Sequence, residues 1–301
     1  MTKSICIIEF PSNLGLKEPA AGREPGVKKL PAFLQRHHFH ASLNPGSVLS
    51  LTPPAYSMRL DEISGVRNAD QIVQYAKDQS QIVEKILSEN KFPIVIGGDC
   101  SILIGNSVAL KNTGAFALFF LDGHTDFMWP ALSQTGGAAG MDLAIVTGYG
   151  HDKLTDILQQ KPYFKEEHVW CVGNREYEDW YVKAITDSNI NYTDLNKLRQ
   201  QGIKKCIADF LQMVSIKNLD GFWIHIDLDV LNDNIMPAVD SRQPDGLTYK
   251  EFNEILYLLL SDAKATGLQI TILDPDLDPS GVYTKEFVNN FCATVNSTRK
   301  S

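Results

Sequence analysis

Two uninterrupted apolar runs, AFALFFL at 115–121 and GFWIHI at 221–226, constrain this chain more than any other feature, because each breaks off directly into acidic residues. A strand with no polar alternation must be covered on both faces, which is the situation of a central strand in a parallel sheet. Around these two runs, short apolar segments alternate with longer stretches of helical period. Further strands are expected at 4–10, 93–97, 168–172 and 268–273. Helices are expected at 25–40 after a turn, and at 68–90, 102–111, 152–160, 175–187, 203–214, 249–261 and 285–296. This βαβα order, with no linker or low-complexity break, predicts one three-layer α/β/α domain over 1–301 with a mostly parallel central sheet. In such sheets ligands bind beyond the carboxyl ends of the strands, where both acidic clusters lie.

Composition narrows the classes of function. The 301 residues are 44% hydrophobic and 21% charged, enough to fill a sizeable core. With a net charge of -8 and scattered Lys and Arg, no nucleic-acid partner is expected. The five cysteines, Cys6, Cys100, Cys171, Cys206 and Cys292, are odd in number and far apart, without a C-x-x-C zinc pattern, and are expected as reduced thiols. The opening MTKSICIIEFPSNLG has too short an apolar run for a signal segment, and no stretch approaches the ~20 apolar residues of a membrane span. A cytoplasmic protein with no membrane partner is the expectation.

The first acidic cluster is Asp122-Gly123-His124-Thr125-Asp126, and the second is Asp227-Leu228-Asp229. Residues two apart in extended chain face the same side, so each cluster turns its polar side chains toward one point. Carboxylates and an imidazole converging in this way suit a divalent cation. Asp residues that merely open loops and cap helices are the alternative; two such sets at equivalent strand ends argue against it.

These segments resemble the ureohydrolase family, which includes arginase, agmatinase and formimidoylglutamase. DGHTD is similar to the family's D-A-H-x-D and DLD to its D-x-D. Pro237-Ala238 and 246–251 (GLTYKE) resemble its P-A and G-G-L-T-Y-R-E segments, 97–101 (GGDCS) its G-G-D-H-S element, and 26–34 (GVKKLPAFL) its first loop and helix. The resemblance covers nearly the whole chain. It implies hydrolysis of a guanidino or formimino C–N bond with two manganese ions, water activated between them serving as the nucleophile. It further implies that Asp122 and Asp227 bridge both ions, that Asp126 binds one, and that His124 and Asp229 bind the other. Asp126 and Asp227 are thereby the catalytic candidates. A small-molecule substrate and a homo-oligomer, trimer or hexamer, are implied as partners.

Three positions depart from the family pattern. Cys100 stands where the family usually has a histidine ligand, so a pair containing zinc, iron or manganese, a neutral thiol outside the shell, or a single ion on the His124 side all remain open. Ala139 replaces the histidine that relays protons in the family's G-N-x-H-G-M stretch. Ile272 falls where the E-V-N-P glutamate pairs with guanidinium, and an apolar side chain makes no charge-assisted hydrogen bond. Arginine and agmatine are therefore not the expected substrates.

Asp142, Glu178, Asp240 and Arg242 lie where the family's substrate loops occur and are the substrate-binding candidates. Phe127, Met128, Trp129 and Pro130 read as a pocket wall or as core. His225 shares a face with Asp227 and reads as a satisfied core histidine, with a supporting role behind the ligands as the alternative. His37, His38 and His40 read as surface residues at a helix end. A non-catalytic family member that binds metal, and a metal-dependent amide hydrolase, are the alternative functions.

Overall fold

The computed structural model describes residues 3–300, with all strands in a single eight-stranded parallel sheet. The strands are β1 (Ile5–Glu9), β2 (Ser47–Ser50), β3 (Phe92–Ile96), β4 (Phe116–Leu121), β5 (Val169–Val172), β6 (Asn191–Thr193), β7 (Gly221–Asp227) and β8 (Ala265–Thr271). Their order across the sheet is β2-β1-β3-β8-β7-β4-β5-β6. The two long apolar runs thus become the neighbouring central strands β4 and β7, as their lack of alternation requires.

Alternation along the strands sorts the core into two layers. On β4, Phe119 and Leu121 join one buried cluster, with the helices Leu30–Arg36, Ile203–Ile216, Tyr249–Leu260 and Val282–Lys300. Leu118 and Phe120 join the other, with Ala69–Ser88, Ile102–Thr113 and Asp142–Val146. The result is the expected three-layer α/β/α arrangement. Thr248 starts one helix by a reciprocal capping box with Glu251, which satisfies two backbone donors at once.

The edge strands β2 and β6 and the helix Leu195–Gln201 are absent from the sequence-based expectation. Both edge strands are short and half exposed, so neither carries a continuous apolar run. The helix expected at 152–160 ends after Asp152–Thr155, because the Tyr163 hydroxyl donates to the Leu154 carbonyl at 2.7 Å and accepts from the Ile157 N–H at 2.7 Å. Leu158 and Gln159 then turn into the left-handed region. His40 is buried and meets Glu9 at 3.0 Å, so it is not the surface residue expected. All five cysteines are unbridged. Among the described residues, no helix is long and apolar enough to cross a membrane.

The register sets up the site. Leu121 pairs with Ile226 and Asp227 with Thr271, so Asp122, Asp227 and Thr271 emerge side by side at the carboxyl edge. β3 delivers Cys100 to the same place through its tight Gly97–Gly98 turn, where a Cβ on Gly98 would meet the Ser12 carbonyl oxygen at 1.7 Å. The sheet is held to its outer layer by Phe210, whose ring packs edge-on against Phe119 at 5.1 Å and Phe222 at 5.2 Å. Phe210→Ala is expected to lower unfolding free energy by about 3–5 kcal/mol, read by urea denaturation. A loss below about 1 kcal/mol would mean that this layer collapses into the gap instead.

Candidate metal centre

The strand ends gather two donor groups around shared carboxylates. Cys100, Asp122, His225 and Asp227 place one potential donor atom each within 4.8 Å of the others, and Asp122, His124 and Asp229 form a second set. Every one of these side chains is buried or nearly so. Backbone amides hold the carboxylates in place: His124 N–H donates to Asp122 Oδ1 at 2.6 Å, Asp229 N–H to Asp227 Oδ1 at 2.8 Å, and Gly123 N–H to Asp229 Oδ1 at 3.0 Å. Asp126 lines the same cavity with its backbone in the left-handed region, at φ 42°, but stands outside both sets.

Electrostatics at this edge are unfavourable for the protein alone. Burial, then the Asp229 charge, holds the Asp122 carboxyl up, and burial followed by carboxylate neighbours pushes Asp126 and Asp227 well above the usual range. The Cys100 thiol is also pushed well up, by burial first and Asp227 next, and it donates to Asp227 Oδ2 at 2.9 Å. Thr271 Oγ1 lies 3.0 Å from the same sulfur. Burial alone would push the His124 imidazole down, but Asp229 at 2.8 Å outweighs it and holds its pKa at about 9.

The donor chemistry fits divalent cations. Carboxylate oxygens, imidazoles and a thiol face one another, and Asp122 Oδ2 and His225 Nε2 are buried without a hydrogen-bond partner among the described residues. The 3.7 Å between those two atoms is too long for a hydrogen bond. His225 is therefore not the satisfied core histidine its sequence context suggests.

Above the donors opens a cavity of about 520 Å³. Of the expected substrate residues, Asp240 and Arg242 line it, although Arg242 is already paired with Asp233 at 2.6 and 2.8 Å. Glu178 instead begins the helix Asp179–Thr186, exposed and off the cavity wall. Asp142 is fully buried beneath the site, with neither carboxylate oxygen hydrogen-bonded. Ala139 and Ile272 both line the wall, and Ile272 sits at φ 76°, a strained conformation for a β-branched residue. Met128 lines the wall while Phe127 is core.

Sequence reasoning missed Glu176 and Trp180 on the wall, and Arg175 behind it. Arg175 was expected in a helix; it is buried and donates to the Asp229 carbonyl at 2.7 Å. The available signal was Gly123, in place of the alanine of the D-A-H-x-D pattern. A Cβ there would stand 2.1 Å from Arg175 Nη1.

The sequence model of the Arginase family matches residues 25–296. The chain belongs to the arginase family. It is 27% identical over 289 residues to an arginase of Staphylococcus aureus strain MRSA252, covering 95% of each chain. It superposes on the crystal structure of arginase from Bacillus subtilis with a TM-score of 0.84 at 26% identity, covering 97% of this chain and 98% of that one. Arginase from Bacillus caldovelox gives 0.86 at 25% identity, with 98% of both chains covered. The formimidoylglutamase of Bacillus subtilis, at 21% identity and a TM-score of 0.75, shares the fold, covering 99% of this chain and 88% of that one.

Two outcomes follow for this arginase-family site. Because His124 holds a proton up to about pH 9, a cation must displace it at lower pH. Affinity at the His124–Asp229 donors should rise about tenfold per pH unit toward that value and level off above it, in calorimetric titrations with Zn²⁺ at several pH values. A flat profile would show that His124 is not displaced. Gly123→Ala should push Arg175 off Asp229 and weaken cation binding by about 10–100-fold. Unchanged affinity would make Arg175 a packing residue only.

Proposed function

We propose that the chain works as one arginase-like domain that hydrolyses a C–N bond of a guanidino- or formimino-type small molecule other than plain arginine, using two divalent cations. The observation that carries this reading is the meeting of two carboxylate-rich donor sets at the floor of one cavity. Asp122 and Asp227 would be shared between the cations, Asp126 and Cys100 would serve one, and His124 and Asp229 the other. Bound there, the cations supply Lewis acidity and a nucleophile from water near neutral pH.

The protein's own groups then have separable tasks. Asp126 and Asp227 present carboxylates at the reacting end of the cavity, and Asp227 accepts a hydrogen bond from the neutral Cys100 thiol. Asp240 could orient a substrate nitrogen by accepting a hydrogen bond, and Glu176, held by the Gln243 amide, could do the same from its own place on the wall. Ala139 carries no titratable group to relay a proton, and Ile272 makes that wall apolar, so a guanidinium loses the carboxylate that would pair with it. Asp142, fully buried and off the cavity wall, has no substrate contact in this reading. Glu178 is too far out on the helix start to take part. A homo-oligomer and a cytoplasmic setting complete the reading.

The test is a turnover screen of guanidino and formimino compounds with the cation-loaded protein. L-arginine and agmatine should release urea at less than about 1% of the rate on the preferred compound, a loss consistent with a missing general acid and a missing ion pair. Asp227→Asn should abolish turnover and lower bound metal. Arginine as the fastest substrate would overturn the substrate reading, and full activity of Asp227→Asn would overturn the site.

A further inference from the structure

His225 is a buried group at this edge that neither the family pattern nor the mechanism above employs. It lies on β7 two residues before Asp227, so both side chains leave the same face of the strand. Its ring stacks on Phe120 of β4, with centroids 4.3 Å apart and planes 6° from parallel, which fixes where Nε2 points. Among the described residues that nitrogen is fully buried and partnerless, and it faces the equally partnerless Asp122 Oδ2 at 3.7 Å. A hydrogen bond cannot span that gap. Tetrahedral coordination can, since bonds of about 2.0–2.3 Å set neighbouring donors about 3.3–3.8 Å apart.

Resting on the cation-dependent reading above, we propose that His225 Nε2, in place of Asp126, is a metal ligand, completing with Cys100, Asp122 and Asp227 a mixed nitrogen–sulfur–oxygen site that selects zinc or ferrous iron over manganese. Cys100 stands where a family ligand histidine is usual, and His225 restores an imidazole to the same donor set from a different strand. The thiol gives up its proton on ligation, and its 2.9 Å contact with Asp227 is exchanged for two bonds to the cation. One thiolate and one imidazole make the set softer than carboxylates alone, hence the preference.

The support behind His225 makes the idea sharply testable. Gln269 Nε2 lies 2.8 Å from His225 Nδ1, while its Oε1 accepts from Trp223 Nε1 at 3.1 Å and Asn106 Nδ2 at 2.7 Å. An indole can only donate, so this network makes Nδ1 an acceptor and leaves the ring proton on Nε2. Ligation moves that proton to Nδ1 and requires the Gln269 amide to turn over. Asn106 can follow, because its Oδ1 has no partner and can accept from the turned amide, and the Trp223 hydrogen bond is given up. Gln269→Glu removes this conflict: a carboxylate accepts from Trp223, Asn106 and His225 Nδ1–H together, leaving Nε2 free to ligate.

The experiment compares full-length wild type, His225→Phe and Gln269→Glu, titrated with Zn²⁺ and with Co²⁺ as a spectroscopic probe. Wild type should bind two cations and show the thiolate-to-cobalt charge-transfer band. His225→Phe, which keeps the ring stack, should lose one cation and that band while retaining the His124–Asp229 cation. Gln269→Glu should bind the Cys100-side cation about tenfold more tightly. Two cations with unchanged affinity and an unchanged cobalt spectrum in His225→Phe, or weakened binding in Gln269→Glu, would overturn the proposal and make His225 a packing residue stacked on Phe120. That outcome leaves the hydrolase reading standing. Wild type that binds no cation at all would overturn both.

Discussion

Repulsion among the buried carboxylates at the ends of β4 and β7 is the constraint to which the rest of the structure answers. Two unit charges about 4 Å apart cost about 4 kcal/mol at the effective dielectric of a protein site, and a whole domain is stable by only about 5–15 kcal/mol. Asp122, Asp126, Asp227 and Asp229 cannot all be ionised here without a compensating charge. In the protein alone, the compensation is partial: His124 pairs with Asp229, Cys100 donates to Asp227, and burial with mutual repulsion still holds the Asp122, Asp126 and Asp227 carboxyls up. A pair of divalent cations would reverse that logic, since four carboxylates match their charge.

The second layer of the site makes sense in the same terms. Arg175 brings a positive charge to the back of Asp229, and Gly123 exists without a side chain so that the guanidinium can approach. On the other side, Trp223, Gln269 and Asn106 form a buried polar chain that ends at the His225 ring. Such chains are costly when left incomplete, and this one stops at two unpaired atoms facing each other. Strain is concentrated nearby, with Asp126 and Ile272 both left-handed on the cavity wall.

Much of this was legible in the sequence, and for identifiable reasons. The runs ending at Leu121 and Ile226 read as central strands because they carry no polar alternation, and Asp122, His124, Asp227 and Asp229 read as clusters at their ends. The edge strands β2 and β6 were not legible, because half-exposed strands of three or four residues carry no periodic signal. Distal candidates divided by local backbone: Asp240 and Arg242 reach the cavity from one loop, whereas Glu178 and Asp142 are drawn into helix starts. Arg175 went unrecognised, and His225 was read first as a satisfied core histidine, because their importance comes from partners far away in sequence, Asp229 and Asp122, at distances that no local pattern encodes.

The central claim, that the strand-end carboxylates are built to hold divalent cations, is tested most directly by calorimetric unfolding of the chelator-stripped protein with and without added cation. A ligand that binds only the folded chain, present at 100 times its dissociation constant, adds about 2.7 kcal/mol per site. Two sites should raise the melting temperature by roughly 5–15 °C in a chain of this size. An unchanged melting temperature at saturating Zn²⁺ and Mn²⁺, with no metal retained after dialysis, would contradict the account.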